Sequence, residues 1–170
     1  MKVIIKYSLA LTAALIGWDF LFYNYLWKIG SALLSILPSF LITGLFIYTA
    51  IRELKIKKYG GEITYMDASL SGFFITACTA IMYYSATYMV FPYGNIIFKD
   101  EYIVLAKEKM EQDPVMTEES KLETLKNIET GLTPSYMAQS NLKNVIIYGI
   151  IISLLSASIQ RKKIDIPPSS

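Results

Sequence analysis

Four long apolar stretches dominate this sequence, and they restrict what the chain can fold into more than any other feature. They cover about residues 7–27, 31–51, 66–90 and 142–160. Each is close to the ~20 residues that an α-helix needs to cross a hydrocarbon core about 30 Å thick. Lipid offers the backbone no hydrogen-bond partners, so a segment of this kind must be helical. The stretches therefore predict an all-α membrane protein with four transmembrane helices in one domain, residues 1–170.

Charge is segregated along the chain, which argues against a soluble helical bundle. Charged residues make up 18% of the sequence, and the apolar stretches are nearly free of them. Soluble helices would need polar faces that these stretches lack. The first stretch is longer than a usual signal-peptide core, so we expect it to be retained as a span. We expect the lipid bilayer as a partner and no nucleic acid, because the net charge is only +2.

Basic residues set the expected orientation, since short loops rich in Lys and Arg stay in the cytoplasm. They cluster in three segments, which are the N-terminus with Lys2 and Lys6, the region 52–58, and the tail that starts at Arg161. Four spans place all three segments on one side. We therefore predict a multi-pass membrane protein with both termini in the cytoplasm.

The segment 92–140 is then predicted to lie outside the cytoplasm as a helical hairpin between spans three and four. Apolar residues recur at helical spacing over 98–110 and again over 122–132. Asp113 and Pro114 separate the two runs as a predicted cap and first helical residue, and Gly131 indicates a helix end. The hairpin either closes the bundle or docks a partner. The tail 164–170 is typical of a disordered terminus.

Asp19 is the acid that lies well inside a predicted span. An ionised acid at such depth costs roughly 2.5–3.5 kcal/mol on insertion scales. We therefore expect Asp19 to face the bundle, a water-filled pocket or the outer interface, or to be protonated. Asp19 and Asn24 form a candidate intramembrane polar site, and a tyrosine, a serine or Asn24 would bond the carboxyl group. Such a site would serve as a proton relay, a counter-ion for a ligand or a partner contact. Alternatively, it would only supply hydrogen-bond partners to the carboxyl group.

Small residues recur every four positions in the predicted spans. In lipid, close approach of two backbones stabilises helix pairs more than burial of apolar surface does. We predict that these stripes are helix-packing contacts, with a polar pore along the span-two stripe as the alternative. The stripe residues are Ser31, Ser35, Ser39 and Thr43 in span two, Ala68, Gly72, Thr76 and Ala80 in span three, and Gly149, Ser153 and Ala157 in span four. Just before span three, Thr64 and Asp67 have the spacing of a helix-capping box.

Motifs for catalysis and metal binding are missing from the sequence. It contains no histidine, which is the commonest metal ligand and general base. Cys78 is the lone cysteine, and no glycine-rich phosphate loop occurs. We therefore expect no enzyme activity, no metal and no cofactor.

Two segments carry a resemblance to a known family. The first is IRE at 51–53 followed by KYGGEITYMDA at 58–68, and the second is SLLSASIQRKK at 153–163. With the four-span layout, the chain resembles the bacterial membrane family called domain-of-unknown-function family 4199, which is common in Bacteroidota. The resemblance implies four helices and an envelope location, which for this orientation we expect to be the bacterial inner membrane, and it implies no reaction.

Two functional hypotheses follow. The leading one is a non-enzymatic accessory or scaffolding subunit of an envelope assembly, in contact with other membrane-protein subunits. It depends on the packing stripes, the amphipathic outer segment and the missing catalytic motifs. The alternative is a small transporter or channel component that uses Asp19 and the span-two hydroxyl groups.

Overall fold

The computed structural model describes residues 1–29, 32–94 and 96–161. Within these ranges the chain is helical apart from short connections, and no strand occurs. The six α-helices are α1 (Lys2–Leu21), α2 (Ala32–Lys57), α3 (Tyr65–Gly94), α4 (Ile96–Glu111), α5 (Glu118–Gly131) and α6 (Pro134–Gln160). A π-helical turn, Phe22–Leu26, and a 3-10 turn, Trp27–Ile29, continue α1. The predicted tail 164–170 lies outside the described residues.

Four helices are long and apolar enough to cross a membrane. The candidate spans are Lys2–Leu26, Ile36–Lys57, Tyr65–Phe91 and Pro134–Gln160. This confirms the prediction of an all-helical chain with four candidate spans. The fourth candidate span, α6, begins well before the apolar stretch at 142–160. Its start is fixed by the Thr133 hydroxyl, which accepts a hydrogen bond from the Tyr136 amide at 3.3 Å. Pro134 then occupies the first turn, where its missing amide leaves no bond unmade.

Contacts between the helices fix their relative directions. Lys6 of α1 forms an ion pair with Glu53 of α2 at 3.0 Å. Lys55, also near the end of α2, donates to the carbonyl of Gln160 at the end of α6 at 2.9 Å. The start of α1 and the ends of α2 and α6 therefore lie together, and we call this the basic end of the bundle. Arg161 and the turn between α2 and α3 belong to it.

Helices α3 and α6 are antiparallel and pack with their backbones in close approach. A Cβ atom built on Gly72 would lie 2.6 Å from the Cβ of Ser153, and one built on Gly149 would lie 2.8 Å from the Cβ of Thr76. Each glycine thus gives space to a hydroxyl side chain of the other helix. Both hydroxyls donate within their own helix, Thr76 to the Gly72 carbonyl at 2.9 Å and Ser153 to the Gly149 carbonyl at 2.5 Å.

The other small residues of these two stripes are also enclosed. Ala68, Ala80 and Ala157 are buried. The core around them contains large aliphatic side chains from all four spans, namely Leu11, Leu15, Ile47, Ile51, Ile75 and Ile152. In the span-two stripe, Ser31 and the side chain of Ser35 lie outside the described residues.

The connection from α2 to α3 combines a glycine turn with a helix cap. Gly60 and Gly61 have φ angles of 65° and 96°, which favour glycine because it has no Cβ. The Thr64 hydroxyl accepts from the Asp67 amide at 3.1 Å and donates to the Asp67 carboxylate at 2.7 Å. The carboxylate therefore accepts from the hydroxyl rather than reaching back to a backbone amide, because a hydroxyl group both donates and accepts.

Helices α4 and α5 connect α3 with α6, and α4 lies against the end of α1 that is far from the basic end. The rings of Trp27 and Phe98 are 5.2 Å apart, and Lys28 forms an ion pair with Glu101 at 2.8 Å. These contacts attach α4 to the bundle. The placement of this helical segment outside the cytoplasm stays a prediction.

The start of α5 differs from the sequence prediction. Asp113 and Pro114 do not begin the helix, since the Asp113 carboxylate accepts from the Val115 amide at 3.0 Å and closes a local turn. Thr117 is the cap instead, and its hydroxyl accepts from the Ser120 amide at 3.3 Å. Acids in the first turn at Glu118 and Glu119 favour this start, because they stabilise the positive end of the helix dipole. The helix ends at Gly131.

Candidate functional site

A cavity of about 290 Å³ lies between α1, α2, α3 and α6. We call it the Asp19 cavity. Its size is close to the lower limit of small-ligand sites, roughly 300 Å³. Its wall combines aromatic rings with carboxyl, amide and hydroxyl groups. The lining residues are Leu15, Trp18, Asp19, Phe22, Tyr23, Ile36, Ser39, Thr43, Tyr83, Met137, Ser140, Asn141, Asn144, Val145 and Tyr148.

Helical periodicity explains how these residues come to share one cavity. Residues that are three, four and seven positions apart lie on the same helix face. From α1 into the π-helical turn this spacing joins Leu15, Trp18, Asp19 and Phe22, and on α6 it joins Asn141, Asn144, Val145 and Tyr148. The two faces meet because α1 ends near the place where α6 begins. The cavity therefore lies toward the end of the bundle opposite the basic end.

The carboxyl group of Asp19 is held by side chains of two other helices. The Tyr83 hydroxyl of α3 donates to Asp19 Oδ2, and the Asn141 amide of α6 donates to the same oxygen at 3.2 Å. Among the described residues no donor reaches Oδ1. Asp19 is thus fixed in orientation by neutral donors and keeps one carboxyl oxygen for a further partner.

A second polar group of the wall has no partner among the described residues. The indole Nε1 of Trp18 is buried and donates to no acceptor there. A buried donor without an acceptor costs about 1–3 kcal/mol. Ser140 and Asn144 also line the cavity, and their side chains make no hydrogen bond to the described residues. The wall therefore offers several unused donors and acceptors to an occupant.

Asp19 also borders a smaller cavity of about 50 Å³ between α1 and α3. Its wall is mostly apolar and includes Ile16, Phe20, Val90 and Phe91. The Thr87 hydroxyl, which is buried and has no partner among the described residues, is its other polar group. Asp19 thus lies between a larger polar cavity and a smaller apolar one.

Of the predicted partners of Asp19, the structure has a tyrosine, Tyr83, and not Asn24. The Asn24 amide donates to the Phe20 carbonyl at 2.8 Å, on an exposed part of the helix. Five residues in an α-helix turn the chain by about 140° beyond a full rotation, which directs the two side chains to different faces. The π-helical turn that contains Asn24 does not bring them together.

The span-two stripe lies at the cavity as well as at a helix contact. Ser39 and Thr43 both line the Asp19 cavity, and Thr43 is fully buried. The Thr43 hydroxyl donates to the Ser39 carbonyl at 2.8 Å, which satisfies it within α2. Thr43 is thus buried in the bundle and borders the cavity, and a pore along this stripe stays a prediction.

Sequence reasoning missed Asn141 and Asn144 as residues of this site, and it expected a tyrosine beside Asp19 without singling out Tyr83. Tyr83 is one of many tyrosines in a membrane span, where aromatic residues are common. Asn141 and Asn144 lie three positions apart, next to a strongly apolar run. Two amides on one face of a membrane helix are unusual, because unpaired polar groups in lipid are costly. That spacing was the signal available in the sequence.

A second polar cluster lies at the basic end, around Glu53. Its carboxylate accepts from Tyr7 at 2.8 Å and pairs with Lys6 at 3.0 Å and Lys57 at 2.7 Å. The lysine side chains are 62% and 66% exposed, so the cluster lies at a surface and joins α1 to α2. Neither here nor in the rest of the described ranges do acids and the cysteine gather into a group that would hold a metal ion.

Comparison with protein-family models matches residues 6–162 to the family described as Protein of unknown function (DUF4199). The match covers most of the chain, and it confirms the family that the sequence segments indicated. Comparisons with curated proteins and with solved structures give no match.

Proposed function

Because the chain belongs to DUF4199, a family of unknown function, we propose a role from its own geometry: it binds a small polar solute in the Asp19 cavity as part of a membrane transport system. One observation carries the proposal. A carboxyl group inside a span borders a cavity of about 290 Å³ and keeps one oxygen free of donors from the described residues. Ionisable groups at membrane depth are costly and mark ion and substrate pathways.

The arrangement around the carboxyl group supports binding over a purely structural role. If the neighbours of Asp19 served only to satisfy its hydrogen-bonding capacity, they would form a compact polar contact without a cavity beside it. Here Tyr83 and Asn141 hold Asp19 at the edge of the cavity, and the Trp18 indole remains without an acceptor. Positioned polar groups in a partly apolar cavity are typical of small-ligand sites. The sequence favoured a scaffolding subunit, and this geometry favours the transporter alternative.

Blocking the cavity tests the binding proposal. Ser140→Trp would place a large ring in the cavity, whereas Gln139→Trp is the control, because Gln139 is the exposed neighbour on the same helix. Thermal unfolding of the purified protein is followed with a panel of small amines, polyols, carboxylic acids and inorganic ions. A solute at 100 times its Kd stabilises by about 2.7 kcal/mol, or roughly 5–11 °C for a chain of this length.

We expect at least one class of solute to raise the Tm of the wild-type protein and of Gln139→Trp. The same solute should leave the Tm of Ser140→Trp unchanged. If no class raises the wild-type Tm, the binding proposal is wrong. Uptake of the bound solute into proteoliposomes then tests transport, and binding without uptake would limit the function to sensing or storage.

A scaffolding role remains a second proposal, supported by a different part of the chain. Helix α5 buries none of its residues, and Val115 and Leu122 beside and within it are 86% and 69% exposed. We propose no reaction for either role. Purification in mild detergent separates the two, because a subunit of an assembly retains a stoichiometric partner protein. Loss of that partner in Leu122→Glu, with an unchanged Tm, would support scaffolding.

We also propose that the basic end faces the cytoplasm of a bacterial inner membrane and that α4 and α5 lie outside it. The support is the grouping of the basic segments at one end, since short basic loops remain in the cytoplasm. The Asp19 cavity would then open toward the outer half of the membrane.

A further inference from the structure

The charges that line the Asp19 cavity are of one sign. Asp19 is the acid among the fifteen lining residues, and none of them is Lys or Arg. A bound anion would therefore meet a carboxyl group with no basic side chain in the wall to offset it. A bound cation would pair with the carboxylate, and the pairing reduces the cost of a lone charge away from water. The charge of the wall favours a cation.

The aromatic part of the wall favours an organic cation over a hydrated metal ion. Five lining residues are aromatic, namely Trp18, Phe22, Tyr23, Tyr83 and Tyr148. The faces of such rings attract cations, by about 0.5–2 kcal/mol per contact. Metal ions of the hard type prefer several oxygen ligands with carboxylates among them; this wall supplies one carboxylate, and its other side-chain oxygens are on neutral amide and hydroxyl groups. Rings around one carboxylate suit an alkylammonium group.

The volume of the cavity and the unpaired Trp18 donor narrow the class of ligand further. If each non-hydrogen atom takes about the 30 Å³ share of a liquid water, a cavity of about 290 Å³ holds roughly ten such atoms. The buried Trp18 Nε1 has no acceptor among the described residues, so an occupant with an oxygen atom would satisfy it. We infer that the Asp19 cavity binds a small ammonium compound that carries an accepting oxygen, such as an amino alcohol; this rests on the proposed solute-binding function.

The test uses fluorescence of Trp18 as a local reporter. Trp27→Phe leaves Trp18 as the single tryptophan and keeps an aromatic ring next to Phe98. The purified full-length protein in detergent is titrated with choline, with its neutral carbon isostere 3,3-dimethylbutanol, and with acetate. We expect saturable fluorescence change with choline, and binding of the isostere and of acetate at least about tenfold weaker, or about 1.4 kcal/mol.

Three variants locate the binding. Asp19→Asn should weaken choline binding at least about tenfold, while Asp113→Asn, a matched change in the α4–α5 connection, should leave it unchanged. Asn144→Lys keeps Asp19 and provides a second test if Asp19→Asn does not fold. It places an ammonium group on the cavity wall, so choline binding should fall by a similar factor with little change in Tm. Unchanged choline binding in a folded Asp19→Asn or Asn144→Lys would overturn the inference.

A lipid headgroup and a free solute offer the same chemistry, and nanodiscs distinguish them. Choline is titrated in nanodiscs of phosphatidylglycerol alone and of phosphatidylglycerol mixed with phosphatidylethanolamine. Weaker choline binding in the mixed nanodiscs identifies an amine headgroup as a competitor, whereas equal binding identifies a free ammonium solute. Preference for the neutral or anionic probe overturns the inference and keeps solute binding. No binding by any of the three probes overturns the inference, and the Tm panel of solute classes then decides whether solute binding stands.

Discussion

Gly149→Ala should destabilise the bundle although alanine is the better helix former. The added Cβ would lie 2.8 Å from the Cβ of Thr76, and carbon atoms pack at about 3.5–4.0 Å. Rotation of the Thr76 side chain moves its methyl and hydroxyl groups but leaves its Cβ in place. Relief therefore requires α3 and α6 to separate by roughly 1 Å.

Separation of this kind costs about 1–3 kcal/mol by analogy with overpacked cores. The helix gains up to about 1 kcal/mol when alanine replaces glycine. Gly17→Ala measures that gain alone, because its Cβ would meet nothing within 4 Å. We expect Gly17→Ala to hold or raise the Tm, and Gly149→Ala to lower it by roughly 2–4 °C for each kcal/mol lost.

Circular dichroism in mixed micelles measures these differences, as Tm on heating and as the free energy of unfolding in an SDS titration. Thr76→Gly completes a double-mutant cycle with Gly149→Ala. In the Thr76→Gly background the added Cβ has no Cβ to meet, so Gly149→Ala should cost much less there. Such non-additivity reports direct contact between the two sites. Equal losses for Gly149→Ala with and without Thr76, or a loss for Gly17→Ala of similar size, would refute the reasoning.

Three further predictions concern other parts of the chain. Lys121→Cys in a Cys78→Ser background should react with a membrane-impermeant thiol reagent in intact spheroplasts, and labelling only after lysis would reverse the proposed orientation. Glu53→Gln should lower the free energy of unfolding by no more than about 1 kcal/mol, because the lysine partners are exposed; a larger loss in SDS titration would show that the cluster is shielded by lipid. Thr133→Ala should cost about 1 kcal/mol by removing the cap of α6, whereas Thr130→Ala, just before it, should cost less in the same titration.

The sequence was sufficient for the fold because membrane helices follow from simple rules. Length and hydropathy predict spans, and lipid excludes other backbone forms. The boundaries were harder, since caps rather than apolar residues fix them. Thr117 starts α5 in place of Asp113, whereas Thr133 and Pro134 carry a start signal in the sequence itself for the beginning of α6 ahead of its apolar run. Polar helix ends extend beyond the hydrocarbon core, so hydropathy does not locate them.

The candidate site was predictable only in part. Asp19 is visible in the sequence because an acid in a span is costly. Its partners Tyr83 and Asn141 lie on other helices, and no local spacing relates them to it. Asn24 was among the expected partners because of its proximity along the chain, which in a helix does not mean a shared face. The cavity itself results from how four helices pack, and such packing cannot be read from one sequence.

The close packing of α3 and α6 and the Asp19 cavity are coupled through those two helices. Tyr83 lies two turns beyond Thr76 on α3, and Asn141 lies two turns before Gly149 on α6. Both donate to the same Asp19 oxygen, so they must keep a fixed distance from each other. A separation of about 1 Å at Gly149 exceeds the tolerance of a hydrogen bond that is already 3.2 Å long.

Gly149→Ala should therefore weaken ligand binding as well as stability, although Gly149 does not line the cavity. We expect choline affinity to fall by about threefold or more, and Thr76→Gly should restore it in the double variant. Affinity and the free energy of unfolding, measured on the same preparations, should recover together. Full choline affinity in a destabilised Gly149→Ala protein would show that the cavity holds its shape independently of the α3–α6 contact.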